Sequence, residues 1–251
     1  MSRREETLNQ LQSYIARAPE FSGWSFGDVD ATPLEPGPPW DYEAIAQDHA
    51  RTARRILDLG TGGGEVLERI IGGLDRPFVA TEEWYTNAPV ARARLAPLGG
   101  EVVRCSSLAL PFCDASFDLV LDRHEELDPA EVVRVLVPGG RVVTQQVVPE
   151  HWPELTEFFP HRQRFPDHFA LYAAAFESAG MRVDRAHHEH RVAYGSLGDV
   201  VFMLLTAPWT IPGFDPIKEI DALLAFEDAH GSDDGIVLTE GYYLIEGQKP
   251  G

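Results

Sequence analysis

Cysteine is scarce: the 251-residue chain carries two, Cys105 and Cys113. Two thiols cannot build a disulfide framework, and their spacing is not the Cys-x-x-Cys of a metal clip. A reduced cytosol is the simplest setting, and no metal site is expected. Long apolar runs are missing too. The longest, Val200 to Leu205, is far short of a membrane span, and Met1-Ser2-Arg3-Arg4-Glu5-Glu6 lacks the apolar region of a secretory signal. Positive charge is the third scarcity, with 21 Lys and Arg against 40 Asp and Glu and a formal net charge of −19. Such a surface repels polyanions, so nucleic acid is disfavoured as a partner. Arg51, Arg54 and Arg55, like Arg92 and Arg94, are read as solvated faces rather than a basic patch. What the chain does have is 44% hydrophobic residues, enough for a substantial core, and a length that suits one α/β domain with additions.

The organising stretch is Arg55-Ile56-Leu57-Asp58-Leu59-Gly60-Thr61-Gly62-Gly63-Gly64-Glu65-Val66-Leu67, where an apolar strand runs into glycines and then into a helix. Ile56, Leu57 and Leu59 suit a strand buried on both faces. Val66, Leu67, Ile70 and Ile71 recur at helical spacing, closed by Gly72-Gly73. Glycines there permit left-handed dihedrals and close approach of a ligand to the backbone, and the helix N-terminus offers free N–H groups to an anionic group such as a carboxylate. A tight strand-to-helix turn alone explains a lone Gly-x-Gly, and the dinucleotide fingerprint wants glycine where Glu65 stands. Context adds a second strand, Pro77 to Thr81, ending in Glu82 about 20 residues after the glycines, the distance at which an acid accepts both ribose hydroxyls.

Taken in order, Asp58-Leu59-Gly60-Thr61-Gly62-Gly63-Gly64, Glu82, Leu110-Pro111-Phe112, Ser116-Phe117-Asp118-Leu119-Val120 and Arg134-Val135-Leu136-Val137-Pro138-Gly139-Gly140-Arg141 resemble the successive motifs of class I S-adenosylmethionine-dependent methyltransferases. Within that superfamily the pattern is most similar to the group of quinone-biosynthesis and small-molecule methyltransferases. The resemblance covers roughly residues 50 to 150. It implies S-adenosylmethionine as cofactor, with Asp58, Gly60, Thr61, Gly62 and Gly64 at its amino-acid end and Glu82 on its ribose. Glu83 and Trp84 stand beside that ribose, and Trp84 either covers the adenine or packs on the next helix. The family commonly holds the adenine amino group with an Asp shortly before Leu-Pro-Phe. Here that position is Ser106, so Ser106, Ser107 or the backbone near Leu108 must substitute.

The implied fold is α/β: a Rossmann-like, doubly wound, seven-stranded, mostly parallel sheet with an antiparallel last strand. An N-terminal helical and loop extension precedes it, and a helical insert precedes the last strand. Residues 1–50 are read as a cap segment, 51–150 as the cofactor-binding core and 151–251 as the substrate-side half with its insert at 197–230, all within one methyltransferase domain. Leu8, Leu11 and Ile15 mark a first helix ended by Pro19. Phe21 to Trp40 reads as an ordered loop with aromatic anchors, and Glu150 to His168 as irregular. Pro138-Gly139-Gly140 reads as a turn into the fifth strand, Arg141 to Val148. The run His187-His188-Glu189-His190 falls in the sixth strand, Val183 to Tyr194, where neighbours face opposite ways, which argues against zinc. Val237 to Glu246 is the last strand.

The expected reaction is methyl transfer to a small, partly apolar acceptor. The loop Asp122-Arg123-His124-Glu125-Glu126 follows the fourth strand at the ligand-binding edge of such sheets, so Asp122 adjoins the cofactor and His124 is the candidate base. Its acidic neighbours are expected to raise its pKa. Trp24, Trp40, Tyr42, Gln145 and Trp209 are candidates for the acceptor pocket, with ordinary packing or sheet-edge hydrogen bonding as the plain alternative. An RNA methyltransferase is a rival reading, opposed by acidity and by the lack of an Asn-Pro-Pro-Tyr-type motif after the fourth strand. A non-catalytic module that retains the cofactor fold is the other.

Overall fold

The computed structural model describes residues 1–251 except 25, 28 and 30. The elements in order are α1 (Arg3–Arg17), β1 (Thr32–Pro33), α2 (Tyr42–Ala50), β2 (Ile56–Leu59), α3 (Glu65–Ile71), β3 (Phe78–Thr81), α4 (Asn87–Leu95), β4 (Glu101–Val103), β5 (Phe117–Arg123), α5 (Pro129–Val135) and β6 (Leu136–Val147). There follow α6 (Leu155–Phe158), α7 (His168–Ser178), β7 (Arg182–Tyr194), α8 (Leu197–Thr206), α9 (Ile220–His230), β8 (Gly231–Ser232) and β9 (Gly235–Gln248). Seven long strands lie in the order β4-β3-β2-β5-β6-β9-β7. The first five of these pair in parallel, and β9 runs antiparallel to both β6 and β7. This is the expected sheet, extended by β1 on the edge of β7 and β8 on β9.

Local chemistry accounts for the element boundaries. Asp41 caps α2 by accepting from the Ala44 N–H at 3.1 Å, and Asp128 caps α5 from Ala130 at 2.8 Å with Pro129 in the first turn. Three expectations are revised. The loop from Phe21 to Trp40 contributes the two-residue strand β1, and the stretch read as irregular after Glu150 contains α6. Pro138-Gly139-Gly140 lies inside β6 rather than before it. Pairing jumps from Phe117↔Leu136 to Leu119↔Arg141, and Gly139, at φ +79°, absorbs the extra residues as a bulge.

Helices cover both faces of the parallel half. Ile56, Phe78, Ala80, Leu119 and Leu121 pack under α2, α3 and α4, while Leu57, Leu59, Val120 and Val142 pack under α5 and α7. A third apolar cluster, with Leu11, Val200, Leu204, Leu223, Phe226 and Leu238, joins α1, α8 and α9 to β9. Alternation along β9 places Leu238, Glu240, Tyr242 and Leu244 on one face. Their partners by register include His190 and His188 of β7 and Gln145 of β6. Between two apolar clusters this face thus carries a polar belt, beside the carboxyl ends of β5 and β6.

Candidate active site

The glycine turn after β2 is built as its sequence demands. Gly60, Gly62 and Gly64 take φ of +57°, +61° and +82°, a region that favours glycine. The turn is fastened to β3: the Thr61 N–H donates to the Thr81 carbonyl at 2.9 Å and the Gly60 N–H to Thr81 Oγ1 at 3.2 Å. Glu82, just past β3, completes the clamp. Its Oε2 accepts from the Gly62 N–H at 2.7 Å and its Oε1 from the Trp84 N–H at 2.8 Å. Each oxygen keeps a further acceptor site, so the same carboxylate can take two ligand hydroxyls.

The crevice is acidic. Burial pushes Asp58 up to about 7, opposed by Thr61 and aided by Glu82. Burial, followed by the charges of Glu82, Glu83 and Glu126, pushes Glu125 up to about 7. Glu82 is also raised by burial, against the pull of its two backbone N–H donors. Carboxylates crowded out of water favour a cationic ligand, which relieves both causes. Thr61 Oγ1 is buried in the turn beside Asp58. The donors and acceptors therefore fit a cation that also carries neighbouring hydroxyls.

Trp24 rests on the glycine turn itself. A Cβ built on Gly62 would fall 2.2 Å from Trp24 Cδ1, so the indole lies directly on the glycine turn, as Glu125 lies on Gly60. The Gly23 N–H tethers this segment to Asn87 Oδ1 at 2.9 Å. Trp24 meets Trp209 at 6.0 Å between ring centres and Trp209 meets Trp84 at 5.6 Å, so three indoles from the N-terminal segment, the insert and the core share one mouth. If the indole covers a bound ligand, Trp24→Ala is expected to weaken cofactor binding about tenfold through loss of its apolar contact, with the dissociation rate raised in stopped-flow. A gain in affinity would instead mean that the ring blocks the turn.

A second group of side chains adjoins the crevice at the ends of β5 and β6. Trp40 Nε1 donates to Gln145 Oε1 at 2.8 Å, and Gln145 Nε2 stands 3.4 Å from His124 Nε2. His124, at φ +64°, stacks on Tyr242 at 5.8 Å, and His151 and His190 meet the same ring at 5.6 and 6.0 Å. Glu240 accepts from Tyr194 at 2.9 Å and Tyr242 at 2.7 Å. His151, His190, Glu240 and Tyr242 were not anticipated. The available signal was the alternation of His188 and His190 against Glu240 and Tyr242 on antiparallel strands.

Asp122 takes a place other than the one expected. Asp122 is fully buried on the opposite face of β5, where its Oδ2 accepts from Thr144 and Gln146, both at 2.5 Å. It supports the floor rather than presenting a contact. Tyr42 packs into the core cluster under α2 with its hydroxyl buried, and its ring lies 6.0 Å from the Arg123 guanidinium carbon. Ser106 Oγ accepts from the Leu108 N–H at 3.3 Å, Ser107 is buried, Leu108 is exposed, and Glu83 is exposed with its carbonyl taken by Arg104. The expected rise in the His124 pKa is reversed. Crowding in the cleft, then the Arg123 charge and the His151 ring, hold it below the ordinary imidazole value. The residue remains exposed to solvent, which limits the first cause, but the two charge effects act in the same direction.

Strand order, glycine turn and the acid at the tip of β3 together define the fold of class I S-adenosylmethionine-dependent methyltransferases. Residues 57–144 match the methyltransferase domain family. Over 134 residues the chain is 28% identical to the ubiquinone/menaquinone biosynthesis C-methyltransferase UbiE of Cupriavidus metallidurans, covering 48% of this chain and 54% of that protein. Over 125 residues it is 32% identical to the demethylmenaquinone methyltransferase of Thermus thermophilus, covering 44% and 54%. The chain thus spans about half the length of these curated relatives. The YcgJ protein of Bacillus subtilis shares the fold, with a TM-score of 0.59 at 18% identity over 84% of this chain and 98% of that one.

Proposed function

We propose that the chain transfers the methyl group of S-adenosylmethionine to a small, partly apolar acceptor. The observation that carries this is the Glu82 clamp on Gly62 and Trp84, set in a crevice whose acids suit a cation. When bound, the cofactor supplies a methyl group already activated on a sulfonium, so the protein chiefly positions the acceptor and excludes competing reactions. Asp58 and the glycine turn take the amino-acid end, and Glu82 takes the ribose hydroxyls. The mouth formed by Trp24, Trp84 and Trp209 favours an apolar acceptor body. Trp40 and Gln145 orient His124, which can receive a proton. The relatives' names refer to quinone biosynthesis, and a flat ring is the kind of body that these indoles would accept. A net charge of −19 supports a small molecule over RNA. The setting we infer is the cytoplasm, and no helix among the described residues is long and apolar enough to cross a membrane.

Glu82 provides the direct test of the cofactor site. In Glu82→Gln an amide N–H₂ would face either the Gly62 or the Trp84 N–H, and the charge-assisted bonds to the ribose are lost. The expected loss in S-adenosylmethionine affinity is about 1.5–3 kcal/mol by calorimetry. Equal affinity in mutant and parent would move the ribose site to Glu83 or elsewhere. Incubation with methyl-labelled cofactor and cell extract, followed by identification of the labelled product, names the acceptor. Labelled product in the RNA fraction alone would overturn the small-molecule reading.

A further inference from the structure

Arg123 ends β5 on the face that carries Gln145, Glu240 and Tyr242. It is half-buried, its guanidinium carbon 6.0 Å from the centre of the Tyr42 ring, and its Nε is buried. Among the described residues it has no hydrogen-bond or ion-pair partner. That is unexpected in a chain with 40 acids and 21 bases, because a cation withdrawn from water is costly unless paired. No acid among the described residues reaches it. Glu240 takes the hydroxyls of Tyr194 and Tyr242. Asp122, next in sequence, points to the other face and holds Thr144 and Gln146. Glu125 lies over Gly60.

We propose that Arg123 binds a single carboxylate carried by the acceptor molecule, an inference that rests on the methyl-transfer reading above. The planar guanidinium fork matches a carboxylate by two parallel hydrogen bonds. One positive charge is on offer, since partial withdrawal from water and the Arg123 charge hold His124, and burial holds His151, below the ordinary imidazole value. A doubly charged phosphate would therefore be half compensated, whereas a carboxylate is matched. The surrounding walls are rings: Tyr42 against the guanidinium, and His124 stacked on Tyr242 at 5.8 Å. They suit a flat, aromatic carboxylate. Because Arg123 and His124 are consecutive, a ligand anchored at Arg123 would place its reacting atom near the His124 imidazole, with the anchor acting in positioning rather than in the chemistry.

Fluorine NMR on the full chain tests this with para-fluorobenzoate, para-fluorobenzamide and para-fluorophenyl phosphate as probes, each with and without S-adenosylhomocysteine. The expected result is line broadening of the benzoate but not of the benzamide, and weaker binding of the phosphate. In Arg123→Gln the benzoate affinity should fall by about tenfold or more, the loss typical of a charged hydrogen bond, while S-adenosylhomocysteine affinity stays at the parental value and the melting temperature does not fall. Should Arg123→Gln fold poorly, Arg123→Lys keeps the charge without the fork and should bind benzoate at an intermediate level. Equal binding of benzamide and benzoate, no broadening of benzoate, or unchanged benzoate affinity in a folded Arg123→Gln protein would each overturn the proposal. Tighter binding of the phosphate would overturn the assignment to a carboxylate. Benzoate binding without binding of S-adenosylhomocysteine would leave this site standing and remove the methyl-transfer reading, whereas the converse would remove only the Arg123 site.

Discussion

Replacing His124 by asparagine is expected to lower turnover by about 10²–10⁴-fold on a hydroxyl acceptor, the usual contribution of a positioned general base, with cofactor affinity nearly intact. The pH dependence carries the sharper information. Flanking acids suggest an imidazole that ionises above its ordinary value, but the fold turns Asp122 to the opposite face, lays Glu125 on Gly60 and leaves the Arg123 charge at hand. Partial withdrawal from water and the Arg123 charge lower the folded value to about 3. The ring is thus neutral throughout the working range but a weaker base than a free imidazole, so the loss in turnover is expected toward the lower end of its span. The limb of the pH–rate profile that belongs to His124 should lie well below its ordinary pKa of about 6.5, and turnover should show no His124 ionisation from about pH 6 to 8. A limb centred above that ordinary value, present in the parent and absent in His124→Asn, would restore the imidazolium reading. Parental turnover in the mutant would leave positioning alone as the catalytic device.

Cofactor affinity is expected to rise about tenfold between pH 6 and pH 8 for each carboxylate that the ligand's positive charge ionises. Asp58 and Glu125 both sit at about 7 in the free protein. A bound cation favours their charged forms and lowers both values, so binding releases protons below about pH 7 and levels off above it. Calorimetry near pH 6.5 in buffers of different ionisation enthalpy measures that release directly. The sign for stability is the reverse of that for a salt-bridged acid. Between the ordinary carboxylate value of about 4 and about 7, the folded chain holds protons that the unfolded chain has lost, so the stability of the free protein should fall as pH rises through that window. Asp58→Asn should flatten its share of both curves. An affinity independent of pH, with no proton release, would mean that these carboxylates do not face the cofactor.

The parallel half of the fold was legible because each strand there is a short apolar run punctuated by glycine, proline or a capping acid. The glycine turn and Glu82 were legible for the same reason, being close in sequence to the strand ends that place them. The polar belt was not, since Arg123, Gln145, His190 and Tyr242 come from four strands and meet only through register. His188 and His190 were rightly assigned to alternating positions of a strand, but sequence does not say that their side of β7 faces inward. Trp24 was expected near the acceptor because aromatic loops often cover substrates, and nothing local reveals that Gly62 is the surface on which it rests. The His124 pKa failed for a related reason. Adjacency in sequence counted Asp122 as a neighbour, whereas β5 ends at Arg123 and the left-handed backbone at His124, with φ +64°, turns its ring away from the face that Asp122 occupies.

The placement of the tryptophans has an optical consequence. The chain has five: Trp24, Trp84 and Trp209 are joined by ring contacts of 6.0 and 5.6 Å at the mouth, Trp40 donates to Gln145, and Trp152 is buried against His151 and Tyr194. Indoles so close exchange excitation, and the emission of the unmodified protein is dominated by groups that a ligand would touch or displace. Intrinsic fluorescence therefore reports on the crevice with little background from the rest of the sheet. Occupancy at the glycine turn and its mouth would perturb the trio and occupancy beside Arg123 and Gln145 the pair, giving two readouts from one spectrum without any attached dye.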